Sequence, residues 1–270
     1  MKQVAAAFIY SNTWVALSLS SLLFGLCSYF QLEHLYLYTA LGFTSTISAY
    51  QLHRLFRLKE LHTEQTDNSR LSWMKTHKQA QMWWFLLCIT ATAVFTLIIE
   101  WNRKAFLLLL INSIIVLLYA LPIKQLGNGF RNLPFFKNLF ISSSWMLVLT
   151  LPFILEDRSL PVPIIYLLGA LTCLYILPFD IRDLPYDGKH MRTLPQLLGS
   201  EKVKILGVVA INCCLLLLNE WLGFHWLLLV VMVVTFIGFY LPIRQINSLL
   251  LEFIWELPLF LIGCYFLQIA

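Results

Sequence analysis

Three of the five aspartates in the 270-residue sequence fall in one short stretch, Leu177-Pro178-Phe179-Asp180-Ile181-Arg182-Asp183-Leu184-Pro185-Tyr186-Asp187-Gly188-Lys189. The i, i+3, i+7 spacing of Asp180, Asp183 and Asp187 puts three carboxylates on one face of a helix. Like charges that close repel unless a cation joins them. A divalent ion with a preference for hard oxygen, magnesium first, is the natural partner, and it binds through a few carboxylates together with substrate phosphate oxygens. A solvated helix end, with Arg182, Lys189 and Arg192 pairing the acids at the surface, is the bland alternative. Against it, the acids directly follow an apolar run, where charge is expensive and tends to serve function. Pro185 is expected to end the helix near Asp183, so that Asp187 reaches the site from a loop.

The elements that position these acids must be membrane helices. The chain is 59% hydrophobic and 12% charged with a mean hydropathy of +0.75, whereas charged residues make up about a quarter of a soluble domain. At roughly 20 residues per spanning helix there is room for eight to ten spans and no separate soluble catalytic domain. A large sheet is excluded because lipid accepts only helices and closed barrels, and barrel strands would alternate. Apolar runs predict nine spans, at 7–28, 34–52, 80–99, 105–122, 135–154, 161–179, 204–222, 224–242 and 249–268. The expected fold is therefore all-α, nine transmembrane helices around a central cavity, in a single transmembrane domain over 1–270 with approximate halves 1–134 and 135–270. The long connections 53–79, 123–134 and 180–203 would form cap loops over the cavity. The first apolar stretch is long and lacks a cleavage-like ending, so it reads as a span and not as a secretory leader.

Sixteen of the nineteen lysines and arginines lie in or beside the amino terminus, the three long connections and Arg244, against Arg103, Lys104 and Arg158 on the opposite side. The positive-inside rule then puts the amino terminus and the long loops in the cytoplasm and the carboxyl terminus outside. The net charge of +5 belongs to this asymmetry and not to nucleic-acid binding. The six cysteines sit inside apolar stretches with no CxxC pair, which gives neither a disulfide framework nor a zinc site. Leu121-Pro122-Ile123-Lys124-Gln125 recurs as Leu241-Pro242-Ile243-Arg244-Gln245, a weak internal echo. Glu252 lies near the cytoplasmic edge of the last span and needs no function. Glu256, one turn deeper, could accept a proton or face a cation. Asn12, Asn112 and Asn212 read as hydrogen-bonding residues between helices.

Asp180-x-x-Asp183-x-x-x-Asp187-Gly188-Lys189, followed by Arg192-Thr193-Leu194-Pro195 and Leu198-Gly199, resembles the second aspartate-rich motif of the UbiA superfamily of intramembrane prenyltransferases. The nine-helix plan and the placement of the long loops resemble it too. The resemblance implies an enzyme that moves an isoprenoid chain from a prenyl diphosphate to a lipophilic acceptor in a bilayer, with Mg2+ bridging carboxylates and diphosphate, in a membrane of the bacterial inner type. A terpene cyclase of the same fold, or a catalytically silent relative, are the alternatives. The family's first motif, N-D-x-x-D-x-x-x-D, is matched here by Ala49-Tyr50-Gln51-Leu52-His53-Arg54-Leu55-Phe56-Arg57, with Tyr50, His53 and Arg57 where the acids would stand. Arg54, Arg57 and a protonated His53 are then expected to bind diphosphate directly, arginine being suited to bidentate phosphate contact. Tyr119 and Lys124 resemble the family's tyrosine and lysine near the diphosphate. Lys189 and Arg192 add positive charge beside the aspartates, and Arg131 with Lys124 makes a basic loop facing them. Aromatic side chains facing the cavity could stabilise an allylic cation.

Overall fold

A computed structural model of the chain describes residues 2–60, 69–120, 136–184, 193–223, 225–241 and 248–270. Among the described residues every regular element is an α-helix. In chain order these are α1 (Lys2–Tyr10), α2 (Thr13–Tyr29), α3 (Leu35–Glu60), α4 (Ser69–Thr76), α5 (Lys78–Ile98), α6 (Arg103–Ala120) and α7 (Phe136–Leu155). They are followed by α8 (Val162–Leu174), α9 (Leu177–Asp183), α10 (Leu194–Leu198), α11 (Ser200–Leu222), α12 (Trp226–Tyr240) and α13 (Ser248–Ile269).

Six segments are long and apolar enough to cross a membrane: α5, α6, α7, α8 together with α9, α11, and Leu249–Ile269 of α13. The pair α1 and α2 makes a seventh if counted as one span. The two remaining segments of the expected nine are α3, which is long but rich in serine and threonine, and α12, which is apolar but has 15 residues.

Four expected bounds are redrawn. The span expected at 7–28 is broken: α1 and α2 meet at a 59° bend. Asn12 takes the left-handed backbone there (φ 65°), which asparagine tolerates better than most residues. Carbonyls left over at the end of α1 are taken up by α3, where Gln51 Nε2 donates to the Ser11 carbonyl at 2.8 Å and Arg54 donates to that of Tyr10. Second, the connection 53–79 is not a plain loop. Leu, Arg, Lys and Glu with no glycine or proline carry α3 on to Glu60, and α4 lies within the stretch, burying Met74. Third, the span expected at 161–179 runs on to Asp183 with a break between α8 and α9, where Pro178 lacks the N–H that would continue the ladder. The connection 180–203 likewise contains α10, opened by a capping box of Thr193 and Gln196. The repeated Leu-Pro-Ile-Lys/Arg-Gln stretches fall almost wholly outside the described residues.

The tightest seam joins α2 to α13. A Cβ on Gly25 would meet the Gly263 carbonyl oxygen at 2.2 Å, and one on Gly263 would meet the Ser21 backbone at 2.3 Å. These two glycines therefore set the approach of the helices, the role small residues play where lipid offers no hydrophobic drive. Ser21 Oγ donates to the Phe260 carbonyl and Trp14 Nε1 to that of Phe253, both at 3.0 Å, which fixes the register. At the other extreme, α5 and α6 bury only 11% of their spanning windows. Leu97 is 86% exposed, and Leu87 and Phe106 also point outward. Such surfaces suit hydrocarbon and not water, and the chain is a multi-pass membrane protein.

Candidate active site

The site begins with a lysine in the first turn of α7. Lys137 lies in the apolar run Phe135-Phe136-Lys137-Asn138-Leu139-Phe140, and its side chain is 9% exposed. A buried ammonium is tolerable only when paired. Its Nζ stands 2.7 Å from Asp180 Oδ1 and 3.6 Å from Asp183 Oδ2. The sequence spacing is thereby realised on α9: the two acids, one turn apart, converge on a single cation. Asp180 is 1% exposed, so its charge depends on that pairing.

The pairing continues beyond α9. Arg182 Nε donates to Asp183 Oδ1 and its Nη1 to Glu252 Oε1 of α13, each at 2.8 Å. The guanidinium also lies over the rings of Phe179 and Trp255, 5.3 and 5.9 Å from their centroids. Asp180, Lys137, Asp183, Arg182 and Glu252 thus alternate in sign along one chain of contacts that ties α7, α9 and α13 together. Glu252, which its position near a span end had seemed to explain, is a member of this chain. Glu256, one turn on, is buried as well.

Beside the charged chain runs an apolar cleft. Lys137 is one turn from Phe140 and Ile141, which together with Ala49, Tyr50, His53, Ile115, Val116, Tyr119, Ser144 and Trp145 line a cleft between α3, α6 and α7. His53 and Tyr119 pack against each other at one end of it, ring centroids 4.7 Å apart and planes tilted by 50°. A second space lies along the same three helices, lined by Tyr38, Leu41, Gly42, Ser45, Leu108, Leu109, Asn112, Leu147, Val148, Leu151 and Pro152, with Thr92 from α5. Where the two adjoin, Ser144 Oγ donates to Asn112 Oδ1 at 2.7 Å, the bond between helices that the sequence anticipates for Asn112.

The residues expected from sequence divide accordingly. Asp180 and Asp183 come together; His53 and Tyr119 come together at the cleft mouth. Arg54 sits one residue from His53 but directs its guanidinium to the Tyr10 carbonyl. Asp187, Lys124, Arg131, Lys189, Arg192 and the side chain of Arg57 lie outside the described residues. Lys137 was missed by sequence reasoning. The signal was present, since an ionisable residue inside an apolar run is a functional candidate by default. The rings that line the cleft, Tyr50, Phe140 and Trp145 among them, could not be picked from the many aromatics by sequence.

Among the described residues no group of three or more His, Cys, Asp and Glu gathers as a metal site. The Asp180 and Asp183 pair nevertheless suits one divalent ion. It offers hard oxygens, and the ammonium that reaches both acids demonstrates that a single cation can bridge them.

No protein-family model and no curated protein matches the sequence. Solved structures do. A UbiA homologue from Archaeoglobus fulgidus bound to DMAPP and Mg2+ is 14% identical with a TM-score of 0.58, covering 97% of this chain and 98% of that one. The apo UbiA homologue from Aeropyrum pernix K1 gives 14% identity and a TM-score of 0.60 over 97% and 96% of the two chains. A digeranylgeranylglyceryl phosphate synthase gives 14% and 0.52 over 100% and 98%. The Archaeoglobus protein is also solved with GPP and Mg2+ and with Cd2+, so that protein binds divalent metal and prenyl diphosphate. Over nearly its whole length, the chain has the all-helical membrane fold of the UbiA homologues.

Proposed function

We propose that the protein is a prenyltransferase of the UbiA superfamily, moving an isoprenoid chain from a prenyl diphosphate to a lipophilic acceptor. The observation that carries this reading is a charged cluster, Asp180 and Asp183 with Lys137, set at the head of an apolar, aromatic-mouthed cleft. A diphosphate and a polyisoprenoid tail need those two surroundings, side by side. The neighbours that bind DMAPP or GPP with Mg2+ support it.

Asp180 and Asp183, with Asp187 from the following segment, are the residues that would hold Mg2+. When bound, the ion neutralises charge on the departing diphosphate. The chain's own groups do the rest. Lys137, with Lys124, Arg57, Lys189 and Arg192 from the same loaded face, supplies fixed positive charge for the diphosphate oxygens. The bond from the allylic carbon to oxygen breaks with its electron pair leaving on the diphosphate. The carbon then forms its new bond to the acceptor, which releases a proton. Tyr119, His53 and Phe140 present ring faces at the cleft mouth, where cation–π attraction favours the allylic cation. The apolar lining excludes the water that would otherwise capture it. By the charge asymmetry, this face is the cytoplasmic one, with the amino terminus inside and the carboxyl terminus outside; the location in a membrane of the bacterial inner type follows from the family reading alone.

The test is incubation of the purified protein in lipid nanodiscs with radiolabelled geranyl, farnesyl and geranylgeranyl diphosphates, with and without a lipid extract as acceptor source. A prenylated lipid that depends on the extract, abolished in Asp183→Asn, is the expected result. Hydrocarbon product without acceptor would identify a cyclase instead, and no turnover of any of the three substrates would overturn the reading.

A further inference from the structure

We propose that Lys137 keeps the Asp180 and Asp183 pair closed to free metal ions and yields it only when a diphosphate arrives, so that the site takes its divalent ion together with the prenyl diphosphate and not before. The inference rests on the prenyl diphosphate reading above and adds to it an order of binding and the residue that enforces it.

The geometry supplies the lock. One ammonium bridges Asp180 Oδ1 at 2.7 Å and Asp183 Oδ2 at 3.6 Å, the two oxygens that a cation shared by these acids would use. A divalent ion arriving alone would have to sit beside that ammonium or drive it off. Driven off, Lys137 would give up both of these carboxylate contacts at a buried position, where losing them is costly.

A diphosphate changes both terms. It brings several negative charges and many acceptor oxygens to the mouth of the cleft, and so offers Lys137 a new partner. Lysine's compact ammonium on a four-carbon stem suits such a change of partner better than the rigid arginine fork. Departure of Lys137 does not leave Asp183 adrift, because its other oxygen, Oδ1, is held by Arg182, itself anchored to Glu252. Arg182 therefore keeps the carboxylate aimed while Lys137 exchanges. The split of Asp183, one oxygen on each cation, is what makes this division of labour possible.

The test uses Mn2+ as the probe, with equilibrium dialysis and electron paramagnetic resonance on the full-length protein in nanodiscs, alone and with geranyl thiolodiphosphate, an analogue that resists ionisation. Calorimetry of the analogue runs in parallel. Wild type is expected to bind Mn2+ at least about 10-fold more tightly with the analogue than without, the effect of exchanging one charge-assisted contact. Lys137→Met is expected to bind Mn2+ alone at least about 10-fold more tightly than wild type does. Lys137→Arg, which keeps the charge, should continue to exclude the free ion. Should Met at 137 prevent folding, Lys137→Gln takes its place with the same expected gain in affinity for Mn2+ alone, and no gain in any folded uncharged variant overturns the role of Lys137. Equal Mn2+ affinity with and without the analogue overturns the ordering while leaving the prenyl diphosphate reading intact. Failure of wild type to bind the analogue under any condition overturns that reading, and the ordering with it.

Discussion

In the sequence two stretches carry polar residues at the same i, i+3, i+7 spacing: Tyr50, His53 and Arg57 in one, and Asp180, Asp183 and Asp187 in the other, the first two of these acids on α9. They meet the cost of burial in opposite ways. On α9 the described acids are answered by full charges, Lys137 from α7 and Arg182. On α3 the contacts are of another kind: Gln51 and Arg54 donate to backbone carbonyls at the end of α1, and the His53 ring packs against that of Tyr119. Spacing alone therefore does not define a site. What marks the α9 end is that α7 delivers a buried lysine to it.

The largest expected effect comes from breaking the charged end. Asp180→Asn takes from the buried Lys137 ammonium its carboxylate contact at 2.7 Å, and removal of one partner of a buried pair costs about 3–5 kcal/mol. Chemical denaturation should show a loss of that order, together with loss of prenyl transfer. The double variant Asp180→Asn with Lys137→Met should recover part of the stability and none of the activity, because the two neutral side chains no longer leave an orphan charge. A double variant no more stable than the single one would mean that Lys137 and Asp180 do not act as a pair.

The α3 end should respond less. His53→Ala removes a ring from the cleft mouth and is expected to weaken binding of geranyl diphosphate about 10-fold, equivalent to about 1.4 kcal/mol. Unchanged affinity and turnover would remove His53 from the substrate site and leave it as a packing residue. Arg54→Ala should act on stability and not on substrate: loss of its hydrogen bond to the Tyr10 carbonyl costs about 1.5 kcal/mol, with diphosphate affinity within about twofold of wild type. A large loss of diphosphate affinity in Arg54→Ala would show instead that its guanidinium serves both the α1 end and the substrate, and would bring the two helix ends closer in kind.

How far the sequence reveals these ends differs between them. Asp180 and Asp183 were legible because their periodicity is local, and three acids in a chain with five aspartates stand out. Their principal partner was not, since Lys137 is 43 residues from Asp180 and only packing of α7 on α9 joins them. Glu252 was passed over for the same reason: its distance from a span end is a sequence property, but its bond to Arg182 is a tertiary one. The all-helical membrane fold followed from apolar run lengths, which need no partner. The bend after α1 did not, because it depends on Asn12 accepting a left-handed backbone and on α3 taking the freed carbonyls.

The smallest effect on stability should accompany the sharpest change in specificity. Asn112 and Ser144 bond across the cleft where its two parts adjoin. From Tyr119 to Asn112 along α6 is seven residues, or about 10 Å at 1.5 Å per residue. That depth suits a short prenyl tail, and the second space beyond would take a longer one if the clasp were opened. Asn112→Ala should cost about 1 kcal/mol, the net worth of one neutral hydrogen bond. Its affinity should shift from geranyl toward geranylgeranyl diphosphate by about 10-fold, measured as the ratio of the two binding constants. Ser144→Ala removes the same bond from the other helix and should shift the ratio in the same direction. Should both variants keep the wild-type ratio, the tail does not run along α6 past this bond, and the apolar cleft would have to serve the acceptor.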